Sequence, residues 1–544
     1  MKRNVGTLGM LFLSLTLSSA AHAQDAGSDE FGDAELFGDG EAGGFGFDEA
    51  PPAATSSEIE LGLAAFERGD FAEASLIFYG VYESEDWGSG LHQRAQFELG
   101  RTLARMDLLQ AALLFFEEII DEGESHPHFV ESAPWMVVMA RQLPGDEEML
   151  GRVARFEDVF PDRLPEEFRD EMAYMLGEHF HRTNDLERAI LYMEQVGPTS
   201  PLHPRALYLG ALSHIRNYDA APAVALLEQL QAMAAGARGE QLERLGNLPA
   251  LVDLTLGRLF YSTGEYDRAV RQYSTIRQGH QYWLDSLFES SWAYLQLDQY
   301  NRALGNLHSL NSPFFNDEYY PEAPVLQAVI FFYNCQFDRV RETLDEFNYV
   351  YVPLREELEL TLFGFIDGLD AYEFLQDASV RQDRSRTFDA RLQQIVDATL
   401  SDRGLMQAIS FIEQLDREVQ YVETAQRNWA TSPLGSYLNT QLIEIRTLKK
   451  GEAGERALER LNTILSDLRQ FEGDMTAILV ETNLAEAGAL SSAVAQELAS
   501  TASAGSEAPR VHREQMYWTF DGEYWRDELG YYSYNIRSRC SADE

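Results

Sequence analysis

The side chains best equipped for chemistry in this 544-residue chain are few, and their spacing does not suit it. His179 and His181 lie two residues apart in a segment whose apolar spacing predicts a helix. They therefore point to different sides of a 3.6-residue turn, whereas a shared metal needs i,i+4 spacing or a third ligand. His126 and His128 fall in a predicted loop, Ser-His-Pro-His, where a metal would need carboxylates brought in from elsewhere. Carboxylate pairs such as Glu117-Glu118 and Glu147-Glu148 read as solvated helix faces in so acidic a chain. Cys335 has no nearby histidine to make it a nucleophile. There is no glycine loop followed by Lys-Ser or Lys-Thr, and no Gly-x-Ser-x-Gly elbow. The expectation is a protein that is not an enzyme and carries neither cofactor nor metal.

Charge and the first residues bound the rest. The chain has 43 Lys+Arg against 89 Asp+Glu, a formal net charge of −46. That field repels nucleic-acid phosphates and anionic lipid headgroups, so nucleic acid is not an expected partner. Solubility explains the charge, and a basic partner is the sharper alternative. Lys2 and Arg3 precede an apolar run from Gly9 to Leu17, and Ala21-His22-Ala23 supplies small residues where a signal peptidase reads. The run is too short to anchor in a bilayer. Residues 1–23 thus read as a signal peptide cleaved after Ala23, giving an exported mature chain, periplasmic or secreted, with no transmembrane segment. Residues 24–55 are rich in Gly, Asp, Glu and Ala, with Phe31, Phe37, Phe45 and Phe47 among them and no Lys or Arg. This composition predicts a disordered leader.

From Glu58 onward one frame recurs. Gly257 is followed by Phe260, the turn residue Gly264, Tyr266, Ala269 and Tyr273. Each position has a reason: a small residue lets two helices approach, the aromatics fill the seam, and the turn glycine ends the first helix. The frame returns 34 residues on at Ser291, with Tyr294, Asp298, Tyr300, Ala303 and Leu307, and again at Ala328, with Phe331, Cys335, Phe337, Val340 and Leu344. Upstream it is clear at Gly62, Gly100 and Gly177. Around Gly210 it survives with a slipped loop near Asn217-Tyr218, and Trp135 to Phe160 reads as a degenerate copy.

This pattern resembles the tetratricopeptide repeat over residues 56–368, about seven to eight copies. It is similar to the exported repeat proteins of bacterial envelopes. The resemblance implies an all-α, right-handed superhelix whose concave face binds a protein partner in the cell envelope. Counted from the frame, the concave residues are Leu254, Arg258 and Tyr261, then Phe288, Trp292 and Leu295, then Val325, Val329, Phe332 and Tyr333. The repeat proteins that clamp a chaperone's acidic terminus carry Lys and Asn there, and this face carries neither. Two occupants stay open: a foreign apolar segment, or the chain's own tail or hairpin.

Past residue 369 the frame stops. Leu405, Ala408, Ile412, Leu415, Val419 and Val422 form one heptad seam, and Leu461, Ile464, Leu468, Phe471, Met475 and Ile478 form a second. Ser432-Pro433-Leu434-Gly435 separates them. Residues 369–500 therefore read as a long antiparallel helical hairpin, its arms running from about 385 to 498, with Lys449-Lys450-Gly451 expected to bend the second arm. Residues 501–544 are a linker and an aromatic tail, in which Asp521-Gly522 reads as either a hairpin turn or a helix start, the favoured expectation being a short helix from Glu523 with Asp521 as its cap. Cys335 and Cys540, the only two cysteines, are candidates for a disulfide pinning that tail to the last repeat. The function expected is a scaffold or adaptor in an envelope complex. Two further readings are an oligomer assembled through the hairpin, and an accessory subunit that positions a peptidoglycan or other envelope enzyme.

Overall fold

The computed structural model describes residues 55–143, 147–157, 159, 164, 166–315, 318–381, 390–497, 516 and 520–540. The expected signal peptide and nearly all of the expected leader lie outside them, as do Tyr517 and Trp518 of the tail. The described chain is all-α, with no strand among those residues. No helix among them is long and apolar enough to cross a membrane.

Helices α1 (Ser57–Glu67) through α17 follow one another in pairs. The pairs are α1 with α2 (Phe71–Ser84), α3 (Gly90–Arg105) with α4 (Leu109–Glu122), and α5 (Phe129–Gln142) with α6 (Glu147–Ala154). They continue as α7 (Glu166–Arg182) with α8 (Leu186–Gln195) and α9 (His203–Arg216) with α10 (Ala220–Gly236). After the short α11 (Glu240–Leu245) come α12 (Leu248–Ser262) with α13 (Tyr266–Tyr273), α14 (Trp283–Gln296) with α15 (Tyr300–Leu310), and α16 (Ala323–Tyr333) with the longer α17 (Phe337–Phe363). The second helix of each pair packs on the first helix of the next.

One backbone device makes the turns. Gly69, Asp107, Asn184, Tyr218, Gly264, Asp298 and Cys335 all have φ between 52° and 80°, each two residues past the end of a first helix. At each, the following amide donates back to a carbonyl five residues earlier, as Glu265 N does to Phe260 O (2.7 Å) and Gln336 N to Phe331 O (3.0 Å). This is the Schellman closure, which satisfies helix-end carbonyls and turns the chain tightly. It also corrects one register. In the α9–α10 pair the left-handed residue is Tyr218, and Asp219 N bonds His214 O, so the small residue of the frame is Ala211 and not Gly210. Ala223 and Leu227, both fully buried, then fall into place on α10. The loop has not slipped; two adjacent small residues made the frame ambiguous.

After α17 come α18 (Gly368–Arg381), α19 (Ala390–Leu400), α20 (Arg403–Thr424), α21 (Arg427–Ala430) and α22 (Pro433–Glu497). The arrangement differs from two matched arms. Helix α22 alone has 65 residues, on the order of 100 Å at helical rise, and α16 to α21 all pack against it. It is helical throughout, Lys449-Lys450-Gly451 included. Its apolar stripe is used in four stretches. Leu434, Leu438 and Leu442 join the core of α1 to α8, and Ala453 and Ala457 meet α18 and α20. Leu461, Ile464, Leu465 and Leu468 pack with Leu354, Leu358 and Ile395, and Phe471, Met475 and Ile478 enter the core of α8 to α17. One helix therefore ties together the two large cores of the molecule.

The tail is not a helix from Glu523. Residues 526–531 form successive turns, with Gly530 at φ 82°, and the other described residues of 520–540 form neither helix nor strand. Its backbone groups bond outward to α15 and the α16–α17 turn, which is why no helical ladder forms. Tyr534 N donates to Asn301 O (2.9 Å), Gly530 N to Ser309 Oγ (2.8 Å) and Arg539 N to Asn334 O (2.9 Å). Cys540 forms a disulfide with Cys335, with Cα atoms 5.2 Å apart.

Candidate functional site

The residues expected to line a binding face sit on α12, α14 and α16, held in register by the turns just described. Leu254, Trp292, Leu295, Val325 and Val329 are buried in the core of α8 to α17. Tyr261, Phe288 and Phe332 are half-buried at its margin, and Tyr333 is exposed. The structure thus gathers all of these residues into one region but leaves only its aromatic edge facing outward.

The face is acidic where the sequence pattern suggested an apolar groove with one cation. Arg258 is engaged by Glu289 through Nε (3.0 Å and 3.1 Å) and a terminal nitrogen (2.7 Å). Burial works against the guanidinium's charge, yet the Glu289 carboxylate holds its pKa above the ordinary value. Beside the pair, Tyr320 OH donates to Asp285 Oδ1 (2.8 Å), and the Tyr320 ring lies 5.6 Å from that of Phe288. Burial pushes the Asp285 carboxyl upward, and Glu289 adds to it. Arg101, at the equivalent frame position of α3, is similarly engaged: it pairs with Glu98 (2.7 Å) and lies over the rings of Phe66, Phe97 and Trp135.

Helix α22 comes down over the α16 part of this region. Glu322 faces Asp467 and Asp474 of α22 and Glu289 of α14, and burial among them raises its carboxyl to about 8. Asp474 is raised to about 6 by burial. The tail, by contrast, lies across α15. The His308 ring is met by Phe520 (4.6 Å), Tyr524 (4.6 Å) and Tyr532 (5.0 Å), and Leu529 is buried there. A Cβ on Gly305 would collide with the Tyr532 carbonyl, so only glycine admits the tail's backbone at that point.

The remaining chemical candidates take structural positions. His181 is buried with Nδ1 2.8 Å from Ser213 Oγ, and burial lowers its pKa to about 3. His126 and His128 are buried. His128 Nδ1 lies 2.6 Å from Glu131, and its ring stacks on Phe97 at 4.7 Å. No group of three His, Cys, Asp or Glu suited to a metal occurs among the described residues.

Sequence reasoning missed Glu289, Asp285, Tyr320 and Glu322, and the tail seat formed by Asn301, Gly305, His308 and Ser309. A signal existed for both. Glu289 follows Arg258 by one repeat less one helical turn, which places it laterally adjacent on the next first helix. Asn301, Gly305 and His308 recur at helical spacing on one face of a second helix and lack the charge that a solvated face would carry.

No protein-family model matches the chain, and no curated protein matches it in sequence.

Proposed function

We propose that this chain is a non-catalytic scaffold of the tetratricopeptide-repeat type, exported to the bacterial cell envelope, where it binds a protein partner. The observation that carries the reading is the recurrence of one turn. Seven left-handed residues in one frame each close a first helix with the same backbone bond. Stacked helix pairs of this kind expose long continuous faces and bind through them. The partner surface is the aromatic edge of the α12–α14–α16 face, carried by Tyr261, Phe288, Phe332 and Tyr333, with Arg258 neutralised behind it. The envelope assignment rests on the first 23 residues, and the Cys335–Cys540 disulfide is in keeping with an oxidising compartment.

The oligomer reading is less well supported. The apolar seams that would join two hairpins, Leu415 and Val419 on α20 and Leu461 to Ile478 on α22, are buried within the same chain.

The test joins location to contact. Mature protein recovered from the periplasmic fraction should begin at Gln24. A photo-crosslinking residue placed at Tyr333 or Tyr261 should yield a discrete adduct with one envelope protein, while the same residue at Glu240 on α11 should not. Protein retaining Met1, or identical adducts from all three positions, would refute the reading.

A further inference from the structure

The tail crosses α15 in the way a peptide ligand crosses a binding groove. From Tyr532 its side chains alternate. Tyr532 is buried and Tyr534 and Ile536 are half-buried, while Ser533, Asn535 and Arg537 are exposed. That is the period of two of an extended backbone. The polar contacts go to the main chain of the tail. Besides the bonds from Gly530, Tyr534 and Arg539, Ile536 N donates to Asn301 Oδ1 (3.2 Å). Gln278 Nε2 and Gln336 Nε2 donate to the carbonyls of Arg526 and Arg537 (2.9 Å each). Contacts of this kind give affinity whatever the sequence, and alternate side chains in pockets give the selection. The two anchors here are Leu529 and Tyr532, both buried.

The hold is slight apart from one bond. Among the described residues of the tail only Leu529 and Tyr532 are buried, against the entropy of ordering the whole segment. The disulfide at its end is the lock. Cys335 takes a left-handed turn position that other pairs fill with Gly, Asp, Asn or Tyr, so the turn itself has no need of a cysteine. Cys335 and Cys540 are both partly exposed, which suits them to thiol exchange.

We infer that α15 carries a groove for an extended segment of another protein, closed by the chain's own tail and opened by reduction of Cys335–Cys540. A protein dithiol supplies the two electrons. One of its thiolates attacks a sulfur of the pair, and the other cysteine leaves and takes a proton. The donor's second thiolate then resolves the mixed disulfide, so two thiols remain here and a disulfide forms on the donor. The seated tail shows what fits the freed groove: apolar anchors at the spacing of Leu529, Tyr532, Tyr534 and Ile536. A second copy is the poorer occupant. Each tail entering a neighbour's groove vacates its own, and chains of net charge −46 repel one another. This inference stands independently of the α12–α14–α16 reading.

The probe is a fluorescent peptide with the sequence of residues 523–539, which holds no cysteine, and anisotropy follows its binding to the full mature chain. Leu529→Ser, Tyr532→Ser and Cys540→Ser together unseat the tail without touching the groove. That variant should bind the peptide at least about tenfold more tightly than oxidised wild type, because the competing tail is gone. Dithiothreitol should move wild type toward the variant. Gly305→Ala added to the variant should abolish the gain, since its Cβ takes the place of the Tyr532 carbonyl. A peptide with Ser at both anchor positions should not bind. Equal binding by oxidised wild type and the triple variant would overturn the groove. So would a gain that survives Gly305→Ala, or equal binding of the Ser peptide. Binding to wild type that dithiothreitol leaves unmoved would overturn the lock. A dimer of reduced protein that Gly305→Ala dissolves would assign the groove to a second copy's tail and overturn the foreign partner.

Discussion

Glu418 and Gln110, 308 residues apart in sequence, meet at the start of α4: the Glu418 carboxylate accepts from Gln110 N (2.8 Å) and from Ala111 N (3.0 Å). Helix α4 begins at Leu109, and the side chain of its N-cap residue Leu108 cannot cap it, so a glutamate from α20 does the work of a local Ser or Asp. The same seam is fixed a second time by Trp429 Nε1 donating to Ser75 Oγ (3.0 Å). Together they define how the C-terminal helices sit on the N-terminal pairs.

Removing this clamp should be costly. Glu418→Ala strands two buried amide donors at a helix N-terminus and should destabilise the protein by about 3 kcal/mol. Glu418→Gln, which keeps one acceptor, should cost less. Thermal melting gives the totals, and amide exchange gives the place. Protection at Gln110 and Ala111 should fall first in the Ala variant. Unchanged exchange there would show that the clamp contributes nothing.

The corrected register makes two glycines of similar appearance behave oppositely. A Cβ on Gly257 would lie 2.5 Å from the Tyr273 ring, in a pair closed on both sides, so Gly257→Ala should cost about 2 kcal/mol or more. At Gly210 the nearest atoms, on Leu226 and Met193, are 3.7 Å away. Gly210→Ala should be neutral, or stabilising by up to about 1 kcal/mol from helix propensity. Denaturant midpoints of the two variants check both. Equal losses would restore Gly210 to the frame.

What the sequence could and could not reveal follows from the range of the forces involved. The turn positions were legible because a left-handed residue and its backbone bond are local, fixed within a few residues of the helix end. The exception, Gly210 against Ala211, arose where two small residues left the local signal degenerate. The Glu418 clamp was illegible, since nothing near Leu108 announces a donor set waiting for a carboxylate from α20. The tail misled for a related reason. Asp521-Gly522 looks like a helix start, but Tyr534, Gly530 and Arg539 find their partners on Asn301, Ser309 and Asn334, and tertiary bonds replaced the helical ladder. The acidity of the candidate face was recoverable, because Glu289 sits at the lateral repeat spacing from Arg258.

The strap formed by residues 520–540 should depend on its disulfide. Cys335 and Cys540 close a loop of 205 residues, and a crosslink of that span restricts the unfolded chain by roughly 5 kcal/mol in the chain-entropy account. Reduction, or Cys540→Ser, should lower the melting temperature and open Arg526 and Arg537 to trypsin. Gly305→Ala should expose the same sites with the disulfide intact, because its Cβ displaces the Tyr532 carbonyl. Identical digestion of oxidised, reduced and Gly305→Ala protein would mean that the strap does not need either feature.

The seam between α16 and α22 should weaken as pH rises. Glu322 faces Asp467 and Asp474 from α22 and Glu289 from α14, all acids, and burial together with these neighbours lifts its carboxyl from 4.5 to about 8. Asp474 moves the same way, from 3.8 to about 6. A carboxyl whose pKa is higher in the folded state binds its proton more tightly there. Its contribution is therefore fully present below the unfolded value near 4.5 and is lost progressively as pH climbs to about 8. Glu322→Gln mimics the protonated form. The variant should match wild type at acidic pH and exceed it at alkaline pH by on the order of 2 kcal/mol, after allowing for water at the edge of the seam. Comparing melting curves of the two proteins across this range isolates Glu322, with the acids that face it, from the many distant acids, which titrate alike in both. A stability difference that stays constant from acidic to alkaline pH would show that Glu322 is ionised throughout and that the seam holds its charge by some other means.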